Sequence, residues 1–276
     1  MVMAINKLKL GVITSLEEGV KGLEKVKNLG FETCQLFCRT PGLYTEENAR
    51  LVKETTKKLG VEITLLWAGW PGPAIWNFVE GPITLGLVPP EYRAMRIDAL
   101  KKGSDFAKMI GVVNVATHAG FIPEGPKDPL YPGLVVALRD VAAHCQNNGQ
   151  EFCFETGQET PVTLLRAITD IGLPNLGINL DPANLLLYGK ANPVDALDVI
   201  GKFVRGVHAK DGEYPTDGYN LGKEKPLGEG RVDFPRLVPK LKNLGYRGAL
   251  TIEREISGEQ QIKDILKAKD FLTPLL

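Results

Sequence analysis

Three carboxylates and one imidazole stand where strand-like segments of this sequence come to an end. They are Glu155 in FCFETG, Asp181 in LGINLDP, His208 in VRGVHAKDG and Glu253 in ALTIERE. Three carboxylate oxygens and one imidazole nitrogen suit a hard divalent cation, with Mn²⁺ expected first and Mg²⁺, Co²⁺ or Zn²⁺ as alternatives. One buried carboxylate is often only a salt-bridge partner or a helix cap. Four such groups at successive strand ends favour a metal site.

A metal held in this way predicts a defined chemistry. Coordination positions left open by the protein could take two oxygens of a substrate, so that the metal polarises a carbonyl and stabilises an enediolate. A carboxylate next to the polarised carbon could act as the general base. The residue types therefore point to proton abstraction beside a metal-bound carbonyl.

The elements that would position these residues alternate regularly along the 276-residue chain. Eight strand-like runs, each followed by a helical pattern, predict a parallel sheet that closes into a single (β/α)₈ TIM barrel domain over residues 1–276. The predicted strands are 7–14, 33–39, 61–69, 112–120, 151–157, 176–186 (with its exit), 203–212 and 248–255. The predicted helices are 16–30, 46–60, 93–111, 131–149, 160–172, 192–201, 233–246 and 257–276.

Active sites of such barrels lie at the carboxyl ends of the strands. That rule adds Trp67 and His118, at the ends of the third and fourth predicted strands, to the candidate substrate contacts. Because strand side chains alternate between two faces, the inward-pointing companions of the four candidate ligands should be small or polar. Those companions are Cys153, Asn179, Gly206 and Thr251.

The segment 70–92 interrupts the pattern with prolines, tryptophans and no sustained period. A long irregular insertion in a compact domain is often a lid or a subunit contact, although a surface loop pinned by aromatic packing explains it equally well. We expect it to cover part of the strand-end face and to supply apolar walls from Trp70, Trp76 or Phe78.

Composition narrows the classes of function. The 33 basic and 33 acidic residues balance, which argues against an extended nucleic-acid surface. No apolar run approaches the length of a membrane span, and residues 1–12 lack the features of a secretory signal, so we expect a cytoplasmic protein. The four cysteines, Cys34, Cys38, Cys145 and Cys153, are expected to be buried free thiols, and His144 an ordinary helix residue.

Several motifs carry a family resemblance across nearly the whole chain. HAKD (208–211), LGEGRVDF (227–234) and GYRGALTIERE (245–255) resemble the sugar phosphate isomerase/epimerase family of xylose-isomerase-like TIM barrels, whose superfamily also contains the AP endonucleases. The resemblance implies a metal held by Glu155, Asp181, His208 and Glu253. It also implies that Glu155 and Glu253 form the acid/base pair on opposite faces of the sugar.

The chain departs from the family pattern in two places. Asn184 stands where many members place a substrate-binding histidine, and no arginine occurs between His208 and Gly230, where ketose 3-epimerases tend to carry one. We expect Asn184 and Gln158 to contact the substrate. Lys210 either supplies a cation to the substrate or is a structural ion-pair residue.

These observations predict a divalent-metal-dependent isomerase or epimerase of a small sugar, keto-polyol or hydroxy-ketone. An alternative on the same barrel is a lyase or dehydratase, of the inosose dehydratase or 3-keto-glycoside eliminase type. An AP-endonuclease-like repair enzyme is a distant alternative because its three-metal site needs many histidines and this chain has three. A non-catalytic binding protein also stays open. The expected partner is a small carbohydrate, without nucleic acid or membrane, and a homo-oligomer is compatible with the sequence.

Overall fold

The computed structural model describes residues 7–276 and confirms the predicted architecture: a closed barrel of eight parallel strands with helices between them. Each strand pairs with its sequence neighbours, and the eighth pairs with the first, so that the sheet has no free edge. In chain order the barrel strands are Lys9–Ser15, Thr33–Cys38, Glu62–Ala68, Asn114–Thr117, Glu151–Glu155, Leu176–Leu180, Val204–Ala209 and Ala249–Ile252. The single-domain assignment for residues 1–276 stays a prediction.

The helices pack around this barrel. Their bounds are Val20–Asn28, Glu46–Leu59, Gly81–Thr84, Pro90–Ile110, Tyr131–Asn147, Pro161–Ile171, Pro182–Leu187, Pro193–Ile200, Phe234–Asn243 and Glu259–Leu272. Several begin at side-chain caps, such as the Thr160 hydroxyl, which accepts a hydrogen bond from the Thr163 N–H. The long helices Glu46–Leu59 and Pro90–Ile110 end at left-handed glycines, Gly60 and Gly111.

The structure differs from the predicted elements in three places. The helix expected over 16–30 is divided, because Gly19 takes a positive φ of 57° between the 3₁₀ turn Leu16–Glu18 and the helix Val20–Asn28. The sixth strand stops at Leu180, and the following residues form the short helix Pro182–Leu187. The loop after the seventh strand contains an antiparallel ribbon that joins Asp211–Gly212 to Glu224–Lys225.

The hydrophobic core lies mainly between the outer faces of the strands and the surrounding helices. Inside the barrel a smaller apolar cluster joins Leu65, Ala116 and Cys153, from the third, fourth and fifth strands. The four cysteines are free and buried, as predicted. Within the described part of the chain no helix is long and apolar enough to span a membrane. The expectation of no signal sequence rests partly on residues 1–6, which lie outside the described residues.

The insertion 70–92 is fixed to the helix that follows it by one buried guanidinium. Arg96 is fully buried and donates hydrogen bonds to the carbonyls of Pro71 (3.2 Å), Gly86 (2.6 Å) and Pro73 (2.7 Å). The guanidinium carbon also lies 5.5 Å from the centre of a Trp70 ring, as in a cation–π contact. Burial lowers the pKa of Arg96 to about 10.

Asp211 organises the loop between the seventh strand and the helix Phe234–Asn243. This carboxylate is 1% exposed and accepts four backbone N–H bonds of 2.8–3.1 Å. The four donors are Gly212, Gly228, Gly230 and Val232. A Cβ atom on Gly230 would lie 2.1 Å from an Asp211 oxygen, so only glycine allows this approach. The motifs HAKD and LGEGR are therefore two halves of one hydrogen-bonded turn.

Replacing Asp211 with asparagine should destabilise this loop, because an amide offers one acceptor oxygen and turns an NH₂ group toward backbone donors. We expect Asp211→Asn to lower the free energy of unfolding by about 2–4 kcal/mol, since hydrogen bonds to a charged group contribute about 1.5–3 kcal/mol each. Urea denaturation measures the change. Asp217→Asn is the matched control, because Asp217 is exposed and accepts hydrogen bonds from its near neighbours Tyr219 and Asn220. Equal effects of the two changes would contradict the role assigned to Asp211.

Candidate metal centre and substrate cavity

The structure brings the four candidate ligands to one end of the barrel. Glu155 is the last residue of the fifth strand, His208 lies within the seventh, and Asp181 and Glu253 directly follow the sixth and eighth. One ligand atom from each residue lies within 4.8 Å of the other three. Closure of the parallel barrel is the cause of this meeting, because it collects the carboxyl ends of adjacent strands around one axis.

The atoms that face one another in this cluster have no hydrogen-bond partner among the described residues. They are His208 Nδ1, Asp181 Oδ2 and Glu253 Oε2. His208 Nδ1 is 3.0 Å from Glu253 Oε2 and 3.5 Å from both Asp181 Oδ2 and Glu155 Oε1. Buried polar atoms are normally hydrogen-bonded, so three that face a common centre without a hydrogen bond favour a further partner at that centre. Their types, two carboxylates and an imidazole, fit a divalent cation.

Hydrogen bonds to the neighbouring backbone and to Thr156 orient the Asp181 side chain toward the cluster. One of its oxygens, Oδ1, accepts the Asn184 N–H at 2.8 Å and so caps the helix Pro182–Leu187. Its backbone N–H donates to the Thr156 hydroxyl, which in turn donates to the Asp181 carbonyl, both at 2.8 Å. With one oxygen engaged by the helix, the other is held toward the cluster.

Lys210 supplies a buried positive charge beside the carboxylates. Its ammonium group lies 3.0 Å from Glu255, 3.4 Å from Glu253 and 3.5 Å from Asp181, and the side chain is 2% exposed. Burial lowers the pKa of Lys210, but the negative charges of Glu253 and Glu255 outweigh it and raise the pKa well above its usual value. The ion pairs predicted as one of two roles for Lys210 are therefore present.

Burial and neighbouring charges also act in opposite directions on the pKa values of Glu253 and Glu155. Burial raises the pKa of Glu253, yet Lys210 and His208 together lower it to about 2. Burial also raises the pKa of Glu155, but the imidazoles of His118 and His208 lower it well below its usual range. The two glutamates are therefore carboxylates at neutral pH, the form needed to bind a cation or accept a proton.

A cavity of about 520 Å³ opens onto the cluster. Of the predicted substrate contacts, Trp67, His118 and Asn184 line it, whereas Gln158 and Lys210 are buried and do not. Contact of Gln158 with a substrate stays a prediction. The cavity also reaches Phe37 and Arg39, at the end of the second strand, which no pattern in the sequence indicated.

The insertion 70–92 contributes one aromatic wall of this cavity. Trp76 lines it, and its ring centre lies 5.0 Å from that of His118, edge to face. Trp70 packs behind this wall, with ring centres 5.8 Å from Trp67 and 6.4 Å from Trp76. Phe78 packs against Tyr188 at 6.2 Å. The expected apolar wall is present, with Trp76 as the exposed member of the three aromatic residues proposed for it.

His118 and Glu159 extend the polar part of the site beneath that wall. His118 Nε2 lies 3.2 Å from Glu155 Oε1, so the imidazole contacts a candidate catalytic carboxylate. Glu159, which sequence reasoning missed, is 2% exposed, and burial raises its pKa to about 7 although the His118 charge opposes that change. His144 instead pairs with Asp105 on the outside of the barrel at 2.7 Å, as expected for a helix residue.

Comparison with known proteins places the chain in a family. The model of the xylose isomerase-like TIM barrel family matches residues 23–275, and the chain belongs to this family. Among solved structures, a xylose isomerase domain protein from Planctomyces limnophilus superposes with a TM-score of 0.92. The two are 38% identical in sequence, and the match covers 97% of each chain.

Other relatives carry more specific names. The L-ribulose-5-phosphate 3-epimerase UlaE of Shigella boydii serotype 18 is 25% identical over 291 residues, covering 98% of this chain and 95% of the epimerase. A D-tagatose 3-epimerase-like protein superposes with a TM-score of 0.77 at 22% identity, over 97% of both chains. At that level of identity the second likeness shows the fold alone.

The buried carboxyl group of Glu159 predicts a pH-dependent loss of stability. Because its pKa is raised on folding, its contribution is fully present below about pH 4.5 and is lost as the pH rises through about 7. We expect metal-free Glu159→Gln to melt near the wild-type temperature at pH 5 and above it at pH 8. Calorimetry across this range tests the difference, with exposed Glu47→Gln as control. Parallel melting curves for wild type and Glu159→Gln would contradict it.

Proposed function

We propose that this protein is a divalent-metal-dependent isomerase or epimerase of a small sugar, keto-polyol or hydroxy-ketone. One observation carries the proposal. Four potential ligand atoms lie within 4.8 Å of one another at the end of a cavity of about 520 Å³, and three of them have no hydrogen-bond partner among residues 7–276. That geometry supplies both a cation site and room for a small polar substrate.

The family relatives favour this class of reaction over others on the same barrel. The named relatives include the L-ribulose-5-phosphate 3-epimerase UlaE. Epimerisation at a carbon next to a carbonyl requires removal and return of one proton, which is chemistry that carboxylates perform. The charge balance of the chain, 33 basic against 33 acidic residues, supports a small-molecule substrate rather than a nucleic acid. The cytoplasm remains our predicted location.

The residues that would hold the ion are Glu155, Asp181, His208 and Glu253, and Mn²⁺ is our proposed metal. A divalent ion bound there would act as a Lewis acid toward the substrate carbonyl and stabilise the charge that develops on its oxygen. Lys210 compensates part of the negative charge of the same carboxylates, 3.4 Å from Glu253 and 3.5 Å from Asp181. The cluster therefore keeps a net attraction for a cation without an excess of buried negative charge.

Glu155 and Glu253 are the proposed acid and base. The fifth and eighth strands are separated by the sixth and seventh, so the two carboxylates approach the cluster from different sides. One of them can remove a proton from one face of the substrate carbon while the other returns a proton to the opposite face. Asp181 and His208, which lie between them, are placed as ligands.

The cavity walls would hold the substrate in register with these carboxylates. Trp67 and Trp76 present aromatic faces suited to the C–H surfaces of a sugar, and both line the cavity. Asn184 has an amide nitrogen 3.3 Å from Glu155 Oε1 and an amide oxygen 3.3 Å from the Lys210 ammonium. A substrate hydroxyl near Asn184 would therefore meet both donor and acceptor groups.

Substitution of the two glutamates tests their proposed roles. Glu155→Gln and Glu253→Gln should each lower turnover by about 10²–10⁴, the usual effect of losing a general acid or base. Incubation of wild type with ketoses in deuterated water should place deuterium on the substrate carbon, whereas at least one variant should fail to do so. Glu151→Gln is the control, because Glu151 begins the same strand and pairs with Arg205 away from the cluster.

Two outcomes would redirect these assignments. Full deuterium exchange in both glutamine variants would place the base elsewhere, with His118 and Lys210 as the next residues to change. A dehydrated or cleaved product in the wild-type reaction would identify a lyase on the same site. Metal content must be measured in every variant, because an amide oxygen binds a cation more weakly than a carboxylate.

Removal of the metal provides an independent prediction. Chelation should abolish activity and lower the melting temperature, because an ion bound only to the folded state stabilises that state by mass action. Addition of Mn²⁺ should restore both. His208→Asn should abolish the Mn²⁺-dependent rise in melting temperature, whereas His144→Asn should retain it, since His144 lies on the outer helix. A wild-type melting temperature insensitive to both chelator and Mn²⁺ would refute the metal site.

A further inference from the structure

Two amide side chains meet inside the barrel beneath the candidate metal centre. Gln35 comes from the second strand and Asn179 from the sixth, and these strands lie on opposite sides of the barrel. Gln35 Nε2 donates to Asn179 Oδ1 at 3.0 Å, and Asn179 Nδ2 donates to Gln35 Oε1 at 3.2 Å. The two residues are 2% and 0% exposed, so this reciprocal pair is enclosed by protein.

The amide pair contacts the ring nitrogen of His208 that faces away from the carboxylates. His208 Nε2 lies 2.8 Å from Gln35 Oε1 and 2.9 Å from Asn179 Nδ2. Because Gln35 Nε2 is engaged with Asn179, its carbonyl oxygen is the atom left to face the ring. An oxygen can only accept, so the shorter contact, to Gln35 Oε1, is a hydrogen bond when His208 Nε2 carries the proton. Asn179 Nδ2 already has an acceptor in Gln35 Oε1, which favours this assignment over donation from Asn179 Nδ2 to the ring.

That proton determines what the other ring nitrogen can do. In a neutral imidazole with the proton on Nε2, Nδ1 carries the lone pair. Nδ1 is the atom that lies 3.0–3.5 Å from the three carboxylates and has no hydrogen-bond partner among the described residues. Nε2 of His208 is thus the nitrogen that donates to the interior amides, and Nδ1 is the nitrogen that faces the carboxylates with its lone pair.

A glycine makes room for this arrangement. Gly206 precedes His208 by two residues on the seventh strand and therefore shares its face. A Cβ atom at position 206 would lie 2.4 Å from Asn179 Oδ1 and 3.1 Å from Gln35 Nε2. Any side chain there would displace the amide pair, so the small residue expected below His208 has a specific reason to be glycine.

We propose that Gln35 and Asn179 are positioning residues for the metal centre, which fix the His208 tautomer and ring orientation so that Nδ1 binds the cation. The proposal rests on the metal set proposed above and adds to it two residues that contact His208 on the side of the ring away from the carboxylates. Loss of a hydrogen-bond partner behind a metal ligand commonly weakens metal affinity by about 10–100-fold. We expect an effect of that size when Gln35 is replaced with leucine.

The test combines metal affinity with a direct observation of the ring. Mn²⁺ binding to metal-free wild type, Gln35→Leu and Gly206→Ala is measured by titration calorimetry. The control is Gln150→Leu, because Gln150 is also a buried amide, bonded to Ser104 and to the Val112 carbonyl away from the site. Nitrogen-15 NMR of the Mg²⁺-loaded protein reports the tautomer of His208, which is readily assigned in a chain with three histidines.

The expected results are a proton on His208 Nε2 in wild type, and Mn²⁺ affinity about 10–100-fold weaker in Gln35→Leu and Gly206→Ala but near wild type in Gln150→Leu. A proton on Nδ1 in the loaded wild-type protein would overturn the proposal, even if every variant failed to fold. Unchanged affinity in a folded Gln35→Leu would also overturn it and would leave the proposed function intact. Weakened affinity in a protein without epimerase activity would support this inference and refute the proposed function.

Discussion

Mutual repulsion among buried carboxylates is the constraint on which the rest of this structure depends. Glu155, Asp181 and Glu253 converge within 4.8 Å of one another at a poorly solvated strand end. Like charges in such a place are tolerated only beside positive charge, since burial penalises each unpaired ion. Lys210 provides part of the compensation, and a divalent cation would provide the remainder. The negative charge of these carboxylates destabilises the fold without a cation, and the same charge would give the site its affinity for a metal.

Different elements of the barrel hold the residues of this cluster in place. Apolar side chains fill one side of its interior, through Leu65, Ala116 and Cys153. Polar side chains from the second and sixth strands, Gln35 and Asn179, meet inside the barrel and support His208. Outside the barrel, a helix cap holds Asp181 in place. Because each ligand is supported from a different direction, the site requires closure of the whole sheet.

The sequence predicts the parts of this structure that follow from local pattern. Eight alternating units define the barrel, and carboxylates at strand ends define the cluster. The sequence also indicates the start of the Pro182–Leu187 helix, because Asp181 is a favourable N-cap residue and Pro182 occupies the first helical position. No local pattern predicts the Gln35–Asn179 pair, because its members lie 144 residues apart and meet only when the barrel closes. Gln35 was visible only as a polar residue within the apolar strand TCQLFC.

The turn around Asp211 has a consequence for how such proteins can be recombined. One carboxylate receives the backbone of both Gly212 and the 228–232 segment, so the anchor and its loop form a single unit although they are separate in sequence. A loop transplanted from another barrel without glycine at position 230 would collide with this carboxylate. Exchange of substrate-facing loops should therefore succeed when the crossover points lie outside both motifs. The two motifs therefore have to be exchanged together, for steric as well as chemical reasons.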